Sequence, residues 1–250
     1  MNTSEESITA VKKKLKIRKE TILTDYLREI VYGGSDGIVT TFAVVAGFSG
    51  ANLTSETIVP VSVTAVILFG FANLFADAMS MGLGDYLSMR AEEDMYHSLK
   101  KYEKAQLDRD DTVIEEKTKK HLIQRGFTPE DCAQLVQIFK RNHLFWVEWI
   151  MHQEHGLPDP GDVNPFYAGI ATFTSFILFG FIPLAPFIFL EVTPNQAFLL
   201  SLGGMFTSLV LLGLLRWRTV GQNFVRAMME TVMVGSLSSG VAFLVGIILK

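Results

Sequence analysis

The chain has 250 residues, 49% of them hydrophobic, with a formal net charge of −4 and one cysteine, Cys132. A single cysteine excludes an internal disulfide framework and a cysteine-rich zinc site, and the mild charge singles out no partner, with no nucleic acid expected. Apolar residues concentrate in five blocks, roughly 30–50, 57–84, 166–190, 196–215 and 227–249. Each is long enough, at about 1.5 Å rise per residue, to cross about 30 Å of hydrocarbon as a helix. The fold expected is therefore all-α and multi-pass, with five transmembrane helices.

Residues 1–28 form a polar N-terminal segment with Lys12, Lys13, Lys14, Lys16, Arg18, Lys19 and Arg28, and no signal peptide is expected there. The first two spans fill 29–89, an insert occupies 90–164, and the last three spans fill 165–250. The stretch 90–165 carries eleven Lys and Arg, and Arg216, Arg218 and Arg226 lie between the fourth and fifth spans. The loops 51–56 and 191–195 carry none. With five spans, every basic residue except Lys250 falls on one side, which the positive-inside rule makes cytoplasmic. The N-terminus and insert are then inside, and the C-terminus outside.

An ionised side chain within a span is costly and is a functional candidate by default. Asp36, Asp77, Asp85 and Glu230 qualify. Asp85 falls at the inner membrane edge, and Glu230 stands one turn from Arg226, where an ion pair accounts for it. Asp36 and Asp77 are different, because neither of the first two spans contains Lys, Arg or His. They must be protonated, hydrated, or paired with a cation from outside the chain. Asn73, Asp77 and Met81 follow one another at four-residue steps, along one helix face. Asp36 sits in "GGSDG", whose glycines either admit close approach of another backbone or loosen the helix so that carbonyls can face a cavity. A thioether favours Fe²⁺ or Cu⁺ over Na⁺, Mg²⁺ or Ca²⁺; Met81 reads equally as ligand or filler, whereas Met79 and Met89 read as packing residues.

The insert holds fifteen acidic residues, eleven basic ones and all five histidines. A helix running on from Tyr86 to about Lys120, start signals at the Thr128 cap with Pro129 in first-turn position, and a last helix over about 129–155 lead to the expectation of a three-helix cytoplasmic module. Gly126 and Gly156 mark helix ends. Glu115 with Lys119, and Glu116 with Lys120, have the i,i+4 spacing of a solvated face. On a continuous first helix Glu92, Glu103 and Asp110 share a stripe, and Glu148, Met151, His152 and His155 share a face of the last, beside Glu154. Carboxylate, imidazole and thioether together suit a first-row transition metal.

"REIVYGGSDGIVTTFAVVAGFSGA", "SMGLGDYLS", "EWIMHQEHGL" and "FILFGFIPLAPF" together resemble the vacuolar iron transporter family, and the wording "ANLFADAMSMG" points to its prokaryotic branch. The resemblance implies a homodimer that moves Fe²⁺, and often Mn²⁺, out of the cytoplasm in exchange for protons. It implies that Asp36 and Met81 line the path, with Asn73 where known members carry a glutamate and Asp77 taking over part of that charge. It also implies metal binding in the insert through Glu103, Met151 and Glu154, with Glu148 within reach and Gln106 where a second glutamate is expected.

No prosthetic group is expected; Fe²⁺, with Mn²⁺, Co²⁺ or Zn²⁺ as further candidates, enters as cargo. The membrane would be the cell membrane in a prokaryote and the vacuolar membrane in a eukaryote. Other readings are a manganese-selective or broad divalent carrier, and a membrane-anchored helical adaptor or metal sensor. A di-iron enzyme of ferritin type is disfavoured because no Glu-x-x-His occurs in the chain.

Overall fold

The computed structural model describes residues 25–53, 63–161, 163–220 and 223–248. The basic N-terminal cluster Lys12–Lys19, the segment 54–62 between the first two apolar blocks, and Lys250 lie outside the described residues. Among the described residues every element is an α-helix: α1 (Leu27–Leu53), α2 (Val63–Arg109), α3 (Thr112–Gln124), α4 (Pro129–Phe139), α5 (His143–Gln153), α6 (Pro165–Phe189), α7 (Pro194–Val220) and α8 (Phe224–Ile248). The chain divides into two compact units, one of 1–86 with 164–250 and the other of 87–163.

Unit 1 contains α1, the first part of α2, and α6 to α8. Four of its helices, Leu27–Ser49, the one beginning at Val63, Pro165–Phe189 and Pro194–Thr219, are long and apolar enough to cross a membrane. The helix ends follow from local chemistry. The Asn164 side chain accepts the Phe166 N–H at 2.9 Å with Pro165 in the first turn. Thr193 and Gln196 cap α7 reciprocally, the Thr193 N–H reaching Gln196 Oε1 at 3.0 Å and the Gln196 N–H reaching Thr193 Oγ1 at 3.4 Å. Pro183 and Pro186 lie inside α6. Proline removes intrahelical donors, and in this interrupted stretch the buried Ser201 hydroxyl of α7 donates to the Pro183 carbonyl at 2.6 Å.

Unit 1 is held by two apolar clusters. Val45, Leu74, Ala78, Phe176 and Leu184 join α1, α2 and α6. Ile38, Phe42, Met205, Leu209 and Leu212 join α1 to α7. α1 packs on α6, α7 and α8.

Unit 2 departs from the three-helix expectation in two places. The first helix ends at Arg109, because Asp110 Oδ1 accepts both the Thr112 N–H at 3.0 Å and its hydroxyl at 2.7 Å, which starts α3 afresh. The last helix is divided at Lys140–Asn142, where the Asn142 side chain accepts the Phe145 N–H at 3.1 Å and opens α5. The Thr128 cap is present, with reciprocal Asp131 bonds, and Gly126 and Gly156 adopt φ of +93° and +65°. Trp146, Ile150, Met151, Ile114 and Val136 form the core. The Trp146 indole N–H donates to Thr118 Oγ1 at 2.8 Å, and that hydroxyl donates to the Ile114 carbonyl at 2.7 Å.

Candidate functional site

The "GGSDG" glycines seat α1 against α6. A side chain at Gly33 would meet Thr172 O and Ser175 Oγ at 2.6 Å, and one at Gly37 would meet the Phe176 backbone. Gly34 faces Phe179 and Leu212 in the same way. Residues without Cβ are thus what this approach requires. Asp36 rides on that contact, half-buried, with the Thr40 hydroxyl donating to its backbone carbonyl at 2.8 Å.

Asp77 projects from α2, also half-buried. The Asn73 amide donates to Asp77 Oδ2 at 2.8 Å. Asp77 lies within electrostatic range of Asp36. Among the described residues no cationic side chain pairs with either; Glu230, by contrast, pairs with Arg226 Nε at 2.8 Å and Arg216 Nη2 at 2.9 Å. Glu230 is therefore the neutralised acid that its spacing from Arg226 suggested, with a second arginine added by the fold.

Met81, one turn beyond Asp77, packs against the Leu74–Phe176–Leu184 cluster. Met79 lines an apolar groove with Leu83, Phe166 and Ile170, in keeping with a packing role. Asp85 accepts a hydrogen bond from the Thr172 hydroxyl, a partner on α6 that no local spacing could reveal. The sequence reading also passed over Glu29. It is 7% exposed, and its Oε2 is buried without a partner. The signal was there, since Glu29 precedes Asp36 by seven residues and so lies about 20° from it around the helix.

Unit 2 sorts the insert candidates differently. Glu103 is 1% exposed, with His155 Nε2 at 2.9 Å and Lys117 Nζ at 3.4 Å from its Oε1. Lys117 also reaches Glu154 Oε1 at 3.2 Å. Burial by itself would lower the Lys117 ammonium, but the Glu154 hydrogen bond and the Glu103 charge outweigh it and raise its pKa above the usual lysine value. Glu148 stands apart, exposed, bound to Lys100 Nζ at 2.8 Å. Met151 is fully enclosed by apolar neighbours, while His152 is exposed.

The stripe expected of Glu92, Glu103 and Asp110 does not converge. Glu92 is exposed, Glu103 is buried, and Asp110 lies beyond the end of α2, engaged with Thr112. The expected Glu115–Lys119 pair forms at 2.6 Å, and Lys140 joins Glu115 at 2.8 Å. Among the described residues no three or more His, Cys, Asp or Glu side chains are grouped to hold a metal ion.

The sequence profile of the VIT family matches residues 27–247. The chain belongs to the VIT family. It is 34% identical to a vacuolar iron transporter of Toxoplasma gondii over 91% of this chain and 75% of that protein. It is 30% identical to vacuolar iron transporter 1 of Tulipa gesneriana, over 90% of this chain and 87% of the other. Vacuolar iron transporter 1 of Arabidopsis thaliana is 28% identical over 97% of both chains. These VIT relatives are eukaryotic, so the prokaryotic branch suggested by "ANLFADAMSMG" is not borne out.

Proposed function

We propose that this VIT chain is an integral membrane transporter of divalent metal ions, exporting Fe²⁺, and with it Mn²⁺, from the cytoplasm in exchange for protons. The observation that carries the reading is the pair Asp36 and Asp77, two half-buried acids on apolar helices, within electrostatic reach and without a cationic side chain among the described residues. Such a pair needs a cation from outside the chain. Membership of a family whose relatives are named iron transporters supports reading that cation as a metal, and argues against an enzymatic role.

The ligand set is Asp36, Asp77, Asn73 and Met81. Carboxylate and amide oxygens suit both Fe²⁺ and Mn²⁺, and the thioether tilts the set towards Fe²⁺. One chain supplies only two carboxylates here, so a homodimer that places two copies about a two-fold axis doubles the donors. Exchange follows from charge: metal and protons compete for the same carboxylates, and proton entry from the far side releases the metal.

Five spans complete the topology. α8, with 25 residues and its Arg226 and Glu230 paired near one end, supplies the fifth. The basic residues then lie on the cytoplasmic side, with the C-terminus opposite, and the eukaryotic relatives favour a vacuolar membrane.

Proteoliposome flux under an imposed pH gradient tests this. Fe²⁺ uptake coupled to proton movement is expected, and is lost in Asp36→Ala while the protein keeps its helical signal. Flux unchanged in Asp36→Ala removes Asp36 from the mechanism. The same assay with Mn²⁺, Co²⁺ and Zn²⁺ decides between an iron transporter and a manganese-selective or broad carrier.

A further inference from the structure

In unit 2 the buried Glu103 and its neighbour Glu154 share one ammonium. Lys117 Nζ lies 3.4 Å from Glu103 Oε1 and 3.2 Å from Glu154 Oε1. His155 Nε2 faces the same Glu103 oxygen at 2.9 Å. We infer that Lys117 is the resident cation of unit 2, occupying the position between Glu103 and Glu154 that a divalent ion would need, so that this module loads no metal.

Three observations support the assignment. The first is charge. Glu103 and Glu154 together carry two negative charges and Lys117 supplies one positive, leaving too little for a divalent ion that must also sit beside an ammonium. Like charges at this separation repel strongly in a partly buried setting.

The second is anchorage. Lys117 sits on α3 between Ile114 and Thr118, both fully buried. The Thr118 hydroxyl is fixed by its bond to the Ile114 carbonyl and by the Trp146 indole N–H at 2.8 Å. Turning α3 to swing Lys117 away would break the centre of the unit 2 core.

The third is the fate of the other donors. Glu148 is taken by Lys100 at 2.8 Å, and Met151 is enclosed by apolar side chains. Neither is free to complete a coordination shell with Glu103. The buried acceptors of unit 2 without a partner among the described residues are Glu103 Oε2 and the Gln106 Oε1 three residues on. Two such acceptors on adjacent turns suit a water with two O–H donors and are too few for Mn²⁺, whose oxygen sites are octahedral.

The inference goes beyond the transport reading and does not depend on it. Selection of the ion falls to the spans alone, and the Glu103–Lys117–Glu154 cluster acts as a structural unit.

Mn²⁺ binding to the full-length protein in detergent, followed by electron paramagnetic resonance, tests it. Wild type and Glu103→Gln should bind the same number of ions, because Glu103 holds none. Lys117→Gln should gain one further ion, with affinity about a hundredfold above any residual binding at Glu103 in wild type. That gain should disappear in Lys117→Gln combined with Glu103→Gln, and Lys117→Arg should not show it. Loss of an ion in Glu103→Gln alone, or no gain in a Lys117→Gln protein of unchanged helical signal, overturns the inference. Should Lys117→Gln lose its helical signal, the comparison of wild type with Glu103→Gln decides by itself. Failure of the transport reading would appear instead as absent flux, whatever happens at Glu103.

Discussion

The Asn73 side-chain amide donates to Asp77 Oδ2 at 2.8 Å, one turn apart on α2. That bond engages one carboxylate oxygen and leaves Oδ1 outside it. Under the proposed function Asn73 both positions a ligand and serves as one. In Asn73→Ala the carboxylate loses its fixed direction. Since a hydrogen bond to a charged group contributes about 1.5–3 kcal/mol, apparent Fe²⁺ affinity in the flux assay should fall about tenfold. Affinity equal to wild type would show that Asp77 is held by something else.

Met81 has two roles available, filler of the Leu74–Phe176–Leu184 cluster and soft ligand. Met81→Leu separates them, since it conserves volume at a cost under about 1.5 kcal/mol while removing sulfur. The protein should melt close to the wild-type temperature, and Fe²⁺ transport should fall relative to Mn²⁺. An unchanged Fe²⁺/Mn²⁺ ratio would assign Met81 to packing alone.

The α1–α6 contact should tolerate nothing larger than hydrogen at Gly37, where a side chain would run into the Phe176 backbone. Backbone cannot step aside as a flexible side chain can, so Gly37→Ala should cost about 1–3 kcal/mol through overpacking. Gly47, on the same helix, has open space around a new Cβ. Gly47→Ala should therefore leave the melting temperature in detergent level or slightly raised. Equal melting of the two variants would refute the close approach.

Unit 2 should lose an electrostatic contribution on acidification. The Glu115 carboxyl lies below its usual range because Lys119 and then Lys140 hydrogen-bond its ionised form; Asp111 shares Lys140 at 2.9 Å. A depressed carboxyl stabilises the fold above its unfolded value of about 4.3, and the contribution is lost as pH falls through the folded value. Glu115→Gln should lower stability by about 0.5–1 kcal/mol at pH near 7, and the gap to wild type should narrow as pH falls below the unfolded value of about 4.3 and through the folded one. A gap that persists in acid would have another cause than charge.

Much of this architecture could be read directly from residues close together in the chain. The apolar runs that became α1, α2, α6 and α7, the Thr128–Pro129 start of α4, the stop at Gly126, and the pairs Arg226–Glu230 and Glu115–Lys119 are all local. Each depends on helix geometry within a turn or two, so spacing alone suffices. The interruptions at Asp110 and Asn142 were legible in principle, because both residues cap by bonding backbone two or three positions on; the apolar and charged periodicity around them hid the signal.

The roles of the acids were different. Glu103 meets Lys117 and His155 across 14 and 52 residues, and Asp85 meets Thr172 across 87. Nothing in a run such as "EEKTKK" separates Lys117 from its neighbours. Its partners are chosen by which face of α3 the buried Ile114 and Thr118 force inward. The sequence by itself determined that acids without counter-charge stand in the first two spans, because hydropathy and composition are properties of the chain. Only the tertiary structure decided that Asp36 and Asp77 remain without a cationic partner among the described residues while Glu103 and Glu154 share one, because neutralising a charge requires a second charge a few ångströms away in space.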